Sequence, residues 1–322
     1  MAKKSWFLPA ILGIVLVAIP PFVGGYIQHV FILIMMWITM ATAWNLLGGY
    51  CGQVSFGHAV FFGLGAYGGG LLYLHWDISP WCGMITGPLL AIIIGIPIGL
   101  ICFRLRGPYF ALALLALGET FRIVFTNWVS VLGGACGVVS SRTWGAEKLP
   151  YYYIALAIAA LSIYVVYRLM HSKLGYYFVS IREDQDAAEA LGIPTTRYKM
   201  YALIPSAGFT GLAGAIYMNY MAYIDPEVVF NLAGVSIMMI LVVMIGGAGT
   251  LWGPVLGATI FIILSEVLRA VVDPIVGLPV SYLIFMVLAC LLIMFLPDGI
   301  IGDWGKIKRA FTRKKPAYLG GE

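Results

Sequence analysis

Apolar runs of about twenty residues, the length at which a helix crosses a bilayer's hydrocarbon core, recur along the whole sequence and constrain its fold. The chain has 322 residues, of which 61% are hydrophobic and only 10% charged. A soluble domain of this composition would have too little polar surface to face water. The sequence therefore predicts an all-α polytopic membrane protein in which residues 1–322 form a single transmembrane domain.

Ten transmembrane helices are expected from these runs. They cover residues 6–23, 28–47, 54–74, 83–103, 109–126, 151–169, 199–222, 232–246, 254–272 and 280–296. The two weakest are 54–74, which is rich in glycine, and 109–126, which carries two charges. Lys3 and Lys4 before the first run resemble the start of a signal peptide. No small-x-small cleavage site follows them, so this run is interpreted as an uncleaved helix.

The distribution of positive charge predicts the orientation. If the N-terminus is cytoplasmic and ten helices alternate, fifteen of the 19 Lys and Arg residues fall on the inner side. Only Arg142 and Lys148 fall in outer loops, while Arg122 and Arg269 lie within spans or at their ends. Lys and Arg accumulate in cytoplasmic loops, so both termini, including the basic tail 299–322, are predicted to be cytoplasmic. The net charge of +5 is explained in this way and gives no reason to expect nucleic-acid binding.

The longest predicted cytoplasmic loop, residues 170–198, lies between the sixth and seventh spans. It contains the charged stretch IREDQDAAEALGI at 181–193. A glycine at 192 followed by a proline at 194 is a helix stop signal, which predicts a helix near 176–191. The apolar side chains expected on one face of that helix are Phe178, Ile181, Ala188 and Leu191.

The charges of this helix leave two interpretations open. Arg182 and Asp186 are four residues apart and can pair weakly along the helix. Its net acidic charge argues against a position on the anionic cytoplasmic leaflet. The run of small residues in AAEALG permits close approach of another protein, but a solvated loop helix is equally compatible with the residues alone.

Glycine-rich turns at two places suggest close packing or a polar path. GGYCGQVSFGH (48–58) stands at the predicted inner entrance to the third span, and GGAGTLWG (246–253) repeats the pattern on the same side. Tight turns explain these glycines, whereas backbone lining a polar path is the alternative. The candidates for such a path are Asn45, Gln53, Ser55, His58 and Glu119.

Other spacings predict structure within the membrane. Glu119 and Arg122 are three residues apart, as are Glu266 and Arg269, so pairing within each helix or contact with water is expected for these charges. The alternative is a polar vestibule that receives substrate from an outer binding protein. Small residues four apart are expected to bring helix backbones together. These pairs are Gly65/Gly69, Gly95/Gly99, Ala207/Gly211 and Gly253/Gly257.

Several chemistries have no sequence signature in this chain. The phosphate-binding pattern G-x-x-x-x-G-K-[ST] does not occur, and neither does a metal-ligand cluster, a catalytic nucleophile pattern or a cofactor motif. The five cysteines are scattered and form no CxxC pair. The chain is expected to be no enzyme and to bind no cofactor or metal itself, so active transport would need energy from a partner.

The stretch SIREDQDAAEALGIPTTRYK (180–199) resembles the cytoplasmic loop of ATP-binding-cassette (ABC) importer permeases of the branched-chain amino-acid (LivM-type) family. Further blocks resemble the family in the same order, at 45–67, 106–119, 207–217, 244–258 and 296–300. One block differs: the family often has GG-x-x-G with polar residues where this chain reads LGGACGVVS (132–140). If that segment shapes the substrate path, the substrate is unusual.

The resemblance implies a permease domain in a bacterial inner membrane, with a coupling helix seated in a groove of a cytoplasmic ATPase. The residues implied for that helix are Arg182, Glu183, Asp184, Asp186, Ala187, Ala188, Glu189, Leu191 and Gly192, with Ala187, Ala188 and Gly192 at the seat. The implied partners are a second permease of the same type, two ABC ATPases that use the ATP, and an extracytoplasmic substrate-binding protein. The alternative is a stand-alone secondary transporter or channel. Substrates of the family include leucine, isoleucine, valine, other amino acids, urea, amides and aromatic acids, and the sequence does not select among them.

Overall fold

The computed structural model describes residues 16–140, 147–276, 280–296 and 298–302. Within these ranges the chain consists of α-helices and one two-stranded pairing. Most of the predicted first span, the outer segment 141–146 and the basic tail beyond 302 lie outside the described residues.

The elements follow one another with short connections. In chain order they are α1 (Gly25–Asn45), α2 (His58–Trp76), α3 (Gly83–Cys102), α4 (Pro108–Asn127), α5 (Val129–Leu132), β1 (Val138–Val139), α6 (Leu149–Met170), α7 (Lys173–Glu183), α8 (Gln185–Ala190), α9 (Thr195–Met221), β2 (Tyr223–Ile224), α10 (Pro226–Val229), α11 (Met238–Gly246), α12 (Gly253–Val276), α13 (Ser281–Phe295) and α14 (Gly299–Gly302). π-Helical turns at Leu46–Tyr50 and Leu232–Ile237 extend α1 and precede α11. Short 3-10 turns occupy Pro20–Phe22, Pro80–Cys82 and Gly134–Cys136.

Eight helical segments among the described residues are long and apolar enough to cross a membrane. They are Gly25–Tyr50, Pro80–Cys102, Pro108–Asn127, Leu149–Met170, Thr195–Met221, Pro226–Gly246, Gly253–Ile275 and Leu283–Gly302. They correspond to eight of the ten predicted spans, with ends shifted by a few residues. The predicted span 54–74 corresponds to α2, whose glycines and two histidines lower its hydropathy, so it is not among the eight. The total of ten and the cytoplasmic position of both termini stay predictions.

The helices α2, α3 and α9 pack with their backbones in contact. A Cβ atom on Gly65 of α2 would overlap the backbone of Gly211 in α9. A Cβ atom on Gly68 of α2 would lie 2.6 Å from the Cα atom of Gly87 in α3. Because any side chain at these positions would separate the helices, the expected role of Gly65 and Gly211 in backbone packing is confirmed.

A second group contains α1, α6, α11 and α12, and the contact of α1 with α9 joins the two groups. Gly257 of α12 lies against the carbonyl group of Val242 in α11, as expected for a close helix pair. Gly95 of α3 differs, because its nearest neighbours are the side chains of Phe61 and Ala207. There the missing side chain makes room for a neighbour's side chain and not for its backbone.

The two strands pair on the predicted outer side. Val138 lies opposite Ile224 and Val139 opposite Tyr223, in antiparallel register. The strand β1 belongs to the segment 132–140 that differs from the family pattern, and it is thereby tied to the turn after α9. Val138 and Ile224 are each 1% exposed, so this connection is part of the packed core.

Candidate functional site: the loop between α6 and α9

The charged loop folds as two helices, α7 and α8, and not as the single predicted helix near 176–191. Asp184 separates them because its backbone is extended, with φ −156° and ψ 112°. Its carboxylate accepts hydrogen bonds from the backbone N–H groups of Asp186 and Ala187, at 2.9 and 3.0 Å. Aspartate is a favoured N-cap because it satisfies N–H groups that the first helical turn leaves without partners, so the break is built into the sequence.

The break changes which side chains face the rest of the chain. Phe178, Ile181 and Ala188 are buried, as the helical pattern predicts. Leu191 is 82% exposed, so its predicted place on the same face is wrong. An extended residue between the helices shifts the angular phase of everything after it, and the pattern of one continuous helix no longer applies.

Burial also corrects the predicted seat for a partner protein. Ala188 is only 3% exposed and packs inside its own chain, so it cannot form a docking surface. Gly192 ends the loop helix with a left-handed φ of +82°, as expected for a glycine stop, and both it and Ala187 are exposed. The surface that a partner can reach therefore contains Glu183, Asp186, Ala187, Leu191 and Gly192.

The predicted ion pair between Arg182 and Asp186 is also wrong. Arg182 donates to Glu183 at 2.7 Å, and Asp186 pairs with Arg106 from the connection between α3 and α4. The Arg106 guanidinium also donates to Glu189 at 3.0 Å. One arginine thus bridges two carboxylates on consecutive turns of α8 and ties this helix to α3 and α4.

A buried lysine makes a second connection to α8. Lys199 of α9 is 1% exposed, and its ammonium group donates to the Oε1 atom of Gln185 at 2.6 Å. The amide of Gln185 in turn donates to Glu189 at 2.9 Å, and the hydroxyl group of Thr195 donates to the same carboxylate at 2.6 Å. The hydrogen bonds from Gln185 and Thr195, aided by the charges of Arg106 and Lys199, lower the pKa of the Glu189 carboxyl from its ordinary value.

Asn45, a candidate for the polar path, is fully buried and holds two backbone segments together. Its Oδ1 atom accepts from the N–H of Gly249 at 2.8 Å, and its Nδ2 atom donates to the carbonyl of Thr250 at 2.8 Å. Both groups of the amide are therefore used within the chain. The structure places this candidate between the two glycine-rich turns.

Ser55 and His58 form a buried hydrogen-bonded chain with Ser206 of α9. The Ser206 hydroxyl donates to the carbonyl of Ala43 at 2.7 Å, so it must accept from Nε2 of His58 at 2.8 Å. Nδ1 of His58 then accepts from the Ser55 hydroxyl at 3.0 Å, and that hydroxyl accepts from the N–H of Gly57 at 3.3 Å. This arrangement assigns a neutral imidazole that links α1, α2 and α9.

Gln53 lies in a different environment from the other path candidates. It lines a cavity of about 290 Å³ together with the start of α4 and Gln185 of α8. This cavity adjoins the helix pair α7–α8, called the loop unit below, on the side predicted to be cytoplasmic. Gln53 is therefore the one inner-side path candidate, among the described residues, whose side chain borders open space.

The two predicted intrahelical ion pairs are confirmed. Arg122 pairs with Glu119 and also with Glu227 of α10, while Arg269 pairs with Glu266 at 2.7 Å. The charge of Glu119, the remaining path candidate, is thus paired with that of Arg122 near the predicted outer surface. Its side chain is 44% exposed.

A family model described as "Branched-chain amino acid transport system / permease component" matches residues 26–296. The chain belongs to this permease family. The high-affinity branched-chain amino acid transport system permease proteins LivM of Salmonella typhimurium and Escherichia coli are 28% and 29% identical to it. Each alignment covers 83% of this chain and 69% of the relative. The probable branched-chain amino acid transport permease protein LivM of Methanocaldococcus jannaschii is 24% identical over 68% of each chain. No solved structure matches the chain.

The permease is therefore a multi-pass membrane protein with a role in transport. The LivM-type resemblance read from its sequence blocks is confirmed by the family match. Within the described part of the chain, no group of three His, Cys, Asp or Glu residues could hold a metal ion.

Sequence reasoning missed three residues of the polar networks: Arg106, Lys199 and Ser206. Arg106 lies 80 positions before its partner Asp186, so no helical spacing relates the two. Lys199 gave one usable signal, because a lysine at the start of an apolar helix is costly to bury without a partner. Ser206 gave no such signal, because the hydroxyl group of a serine in a membrane helix can hydrogen-bond within its own helix as readily as to a neighbouring helix.

Proposed function

We propose that this chain is the transmembrane permease subunit of an ABC importer for branched-chain or related amino acids. It forms the translocation path and is coupled to separate ATPase subunits. The family match and the relatives named as branched-chain amino acid permeases support this function. A second permease of the same type and an extracytoplasmic binding protein complete the proposed importer.

The helix pair α7–α8 is the observation that carries the proposal. Phe178, Ile181 and Ala188 anchor it to the permease, while its opposite surface is charged and exposed. Arg106 ties α8 to the connection between α3 and α4, and Lys199 ties it to α9. A displacement applied to the exposed surface would therefore be carried to the membrane helices and not absorbed within the loop.

The exposed surface supports a protein contact more than a lipid contact. Glu183 and Asp186 carry negative charge there, and cytoplasmic leaflets are also negative. Leu191 places an apolar side chain on this surface and is 82% exposed. An apolar side chain rimmed by charge is the usual composition of a protein interface.

Reconstitution tests the function directly. The permease is placed in proteoliposomes alone, and then with its candidate partner permease, two ATPases and binding protein. Amino-acid uptake is measured with ATP, without ATP and with an imposed ion gradient. We expect uptake only from the complete set with ATP. Uptake by the permease alone, driven by the ion gradient, would instead establish the secondary transporter alternative.

A pair of variants tests the contact surface. Leu191→Ser changes a residue that is 82% exposed, so folding should be unaffected while ATPase co-purification is lost. Val139→Ser is the control, because Val139 is 68% exposed on the predicted opposite side of the membrane. Equal ATPase recovery from both variants would exclude Leu191 from the contact.

A further inference from the structure

Two glycine-rich turns meet under the loop unit, although about 200 residues separate them in the sequence. The first follows α1 and contains Gly49 and Gly52, and the second joins α11 to α12 and contains Gly249. The fully buried Asn45 side chain bridges them through its bonds to Gly249 and Thr250. A Cβ atom on Gly49 would lie 2.5 Å from the backbone nitrogen of Gly249, so the two backbones touch.

Arg182 of α7 lies directly against both turns. Its Nη1 atom donates to the carbonyl oxygen of Gly49 at 3.3 Å. A Cβ atom on Gly52 would lie 2.8 Å from the Cγ atom of Arg182, and one on Gly249 would lie 2.8 Å from its Nη1 atom. Both positions favour glycine for their conformation, since their φ angles are +71° and +70°.

The side chain of Arg182 is therefore directed at its own chain. It is 38% exposed, whereas the neighbouring Glu183 is 67% exposed. Glu183 accepts from Nε and Nη2 of the guanidinium at 3.1 and 2.7 Å, which leaves Nη1 directed at Gly49. The planar guanidinium is thus held in one orientation by hydrogen bonds on both sides.

We propose that Arg182 is a positioning residue that transmits displacement of the α7–α8 unit to the two glycine turns, with Asn45 making both turns move together. This inference rests on the proposed function, because it names the link between the ATPase contact and the membrane helices. When the loop unit moves, Arg182 pulls the end of α1 through Gly49. Asn45 passes that motion to the α11–α12 turn, so helices distant in sequence respond as one body.

We call the contact of Arg182 and Asn45 with the two glycine turns the joint. A buried cysteine beside it allows the joint to be probed without a transport assay. Cys51 precedes Gly52 and is 0% exposed, and burial raises the pKa of its thiol to about 12. Because the thiolate is the reactive form, Cys51 is protected from alkylation while the joint is closed. Cys102 at the end of α3 is also buried and lies outside the joint, which makes it an internal control.

The first experiment uses the full chain with its three exposed cysteines, Cys82, Cys136 and Cys290, replaced by serine. Alkylation by a maleimide is followed at Cys51 and Cys102 by mass spectrometry of their peptides. Arg182→Met should increase the labelling rate of Cys51 roughly tenfold or more, the factor expected for a lost hydrogen bond to a charged group. Cys102 should be unchanged, and Arg182→Lys should fall between Arg182→Met and the parent.

The second experiment measures amino-acid uptake per ATP hydrolysed in the complete importer. Arg182→Met and Gly249→Ala should lower this ratio while ATPase co-purification is retained. Gly107→Ala is the control for backbone strain, because Gly107 also has a positive φ of +55° but no atom lies near its missing side chain. A lower ratio in Gly107→Ala as well would assign the effect to strain and overturn the joint.

The outcomes separate this inference from the proposed function. Unchanged Cys51 labelling and an unchanged uptake ratio in Arg182→Met would overturn the joint, while ATP-dependent uptake by the parent importer would stand. Equal increases at Cys51 and Cys102 would mean general loosening and would also overturn it. No ATP-dependent uptake by the parent would refute the proposed function, and the labelling result would still decide whether Arg182 holds the turns closed.

Discussion

Gly65→Ala is expected to destabilise the permease, because the added methyl group would overlap the backbone of Gly211 across the contact between α2 and α9. A backbone in the middle of a helix cannot rotate away as a side chain can. The two helices must separate, and that loss of packing typically costs about 1–3 kcal/mol. Alanine in a helix interior returns about 0.5–1 kcal/mol relative to glycine, so the net loss of stability is up to about 2.5 kcal/mol.

Gly118→Ala is the matched comparison. Gly118 lies inside α4, and no atom stands within 4 Å of the position that a Cβ would take. Only the helix-propensity gain applies there, so this variant should be more stable than the parent by about 0.5–1 kcal/mol. Because the helix-propensity gain is common to both, the two alanine variants should differ from each other by the overpacking cost, about 1–3 kcal/mol.

Thermal unfolding of both variants in the same detergent, followed by near-ultraviolet circular dichroism and by loss of the monodisperse peak, measures the difference. Gly65→Ala should unfold at a lower temperature than the parent, and Gly118→Ala at the same or a higher temperature. If Gly65→Ala is as stable as Gly118→Ala, the backbone contact between α2 and α9 is wrong. The three-helix packing derived from it would then be refuted as well.

Two further predictions concern the polar networks. His58→Phe removes the donor to Ser206 and the acceptor for Ser55 from a buried site, and should destabilise the permease by about 1–3 kcal/mol; His58→Gln, which keeps a donor and an acceptor, should recover part of the loss of melting temperature. The folded-state pKa of Glu189 is lowered, so its contribution is present above the unfolded pKa near 4.3 and is lost as the pH falls through the folded value. Glu189→Gln should therefore flatten the acid side of a melting-temperature profile at pH values below about 5, and an unchanged slope would contradict the Glu189 network.

Hydropathy and charge were sufficient to predict the membrane class and the main helices. Eight predicted spans correspond to helices long and apolar enough to cross a bilayer. These predictions succeed because the cost of placing a residue in hydrocarbon depends mainly on that residue, so it can be summed along the chain without knowledge of neighbours. The ion pairs of Arg122 and Arg269 were predictable for a similar reason, since three residues along one helix fix the distance between partners.

The charged loop between α6 and α9 shows where local periodicity fails. Residues 176–191 have the pattern of one helix, but the extended backbone at Asp184 divides it in two. Everything beyond the break changes its angular phase, so Ala188 is buried while Leu191 is exposed. The capping ability of Asp184 is visible in the sequence, yet the same residue is tolerated on the surface of a continuous helix.

The sequence by itself was sufficient to predict which segments span the membrane, which glycines allow close approach of helices, and the family of the chain. The tertiary structure alone decided which of the polar groups meet. Arg182 contacts a turn 133 residues earlier, and Asn45 contacts a turn 204 residues later. Such contacts depend on the angles at which packed helices cross, and many residues set those angles together. No spacing in the sequence expresses them, so the sequence did not predict that Arg182 contacts Gly49 or that Asn45 contacts Gly249.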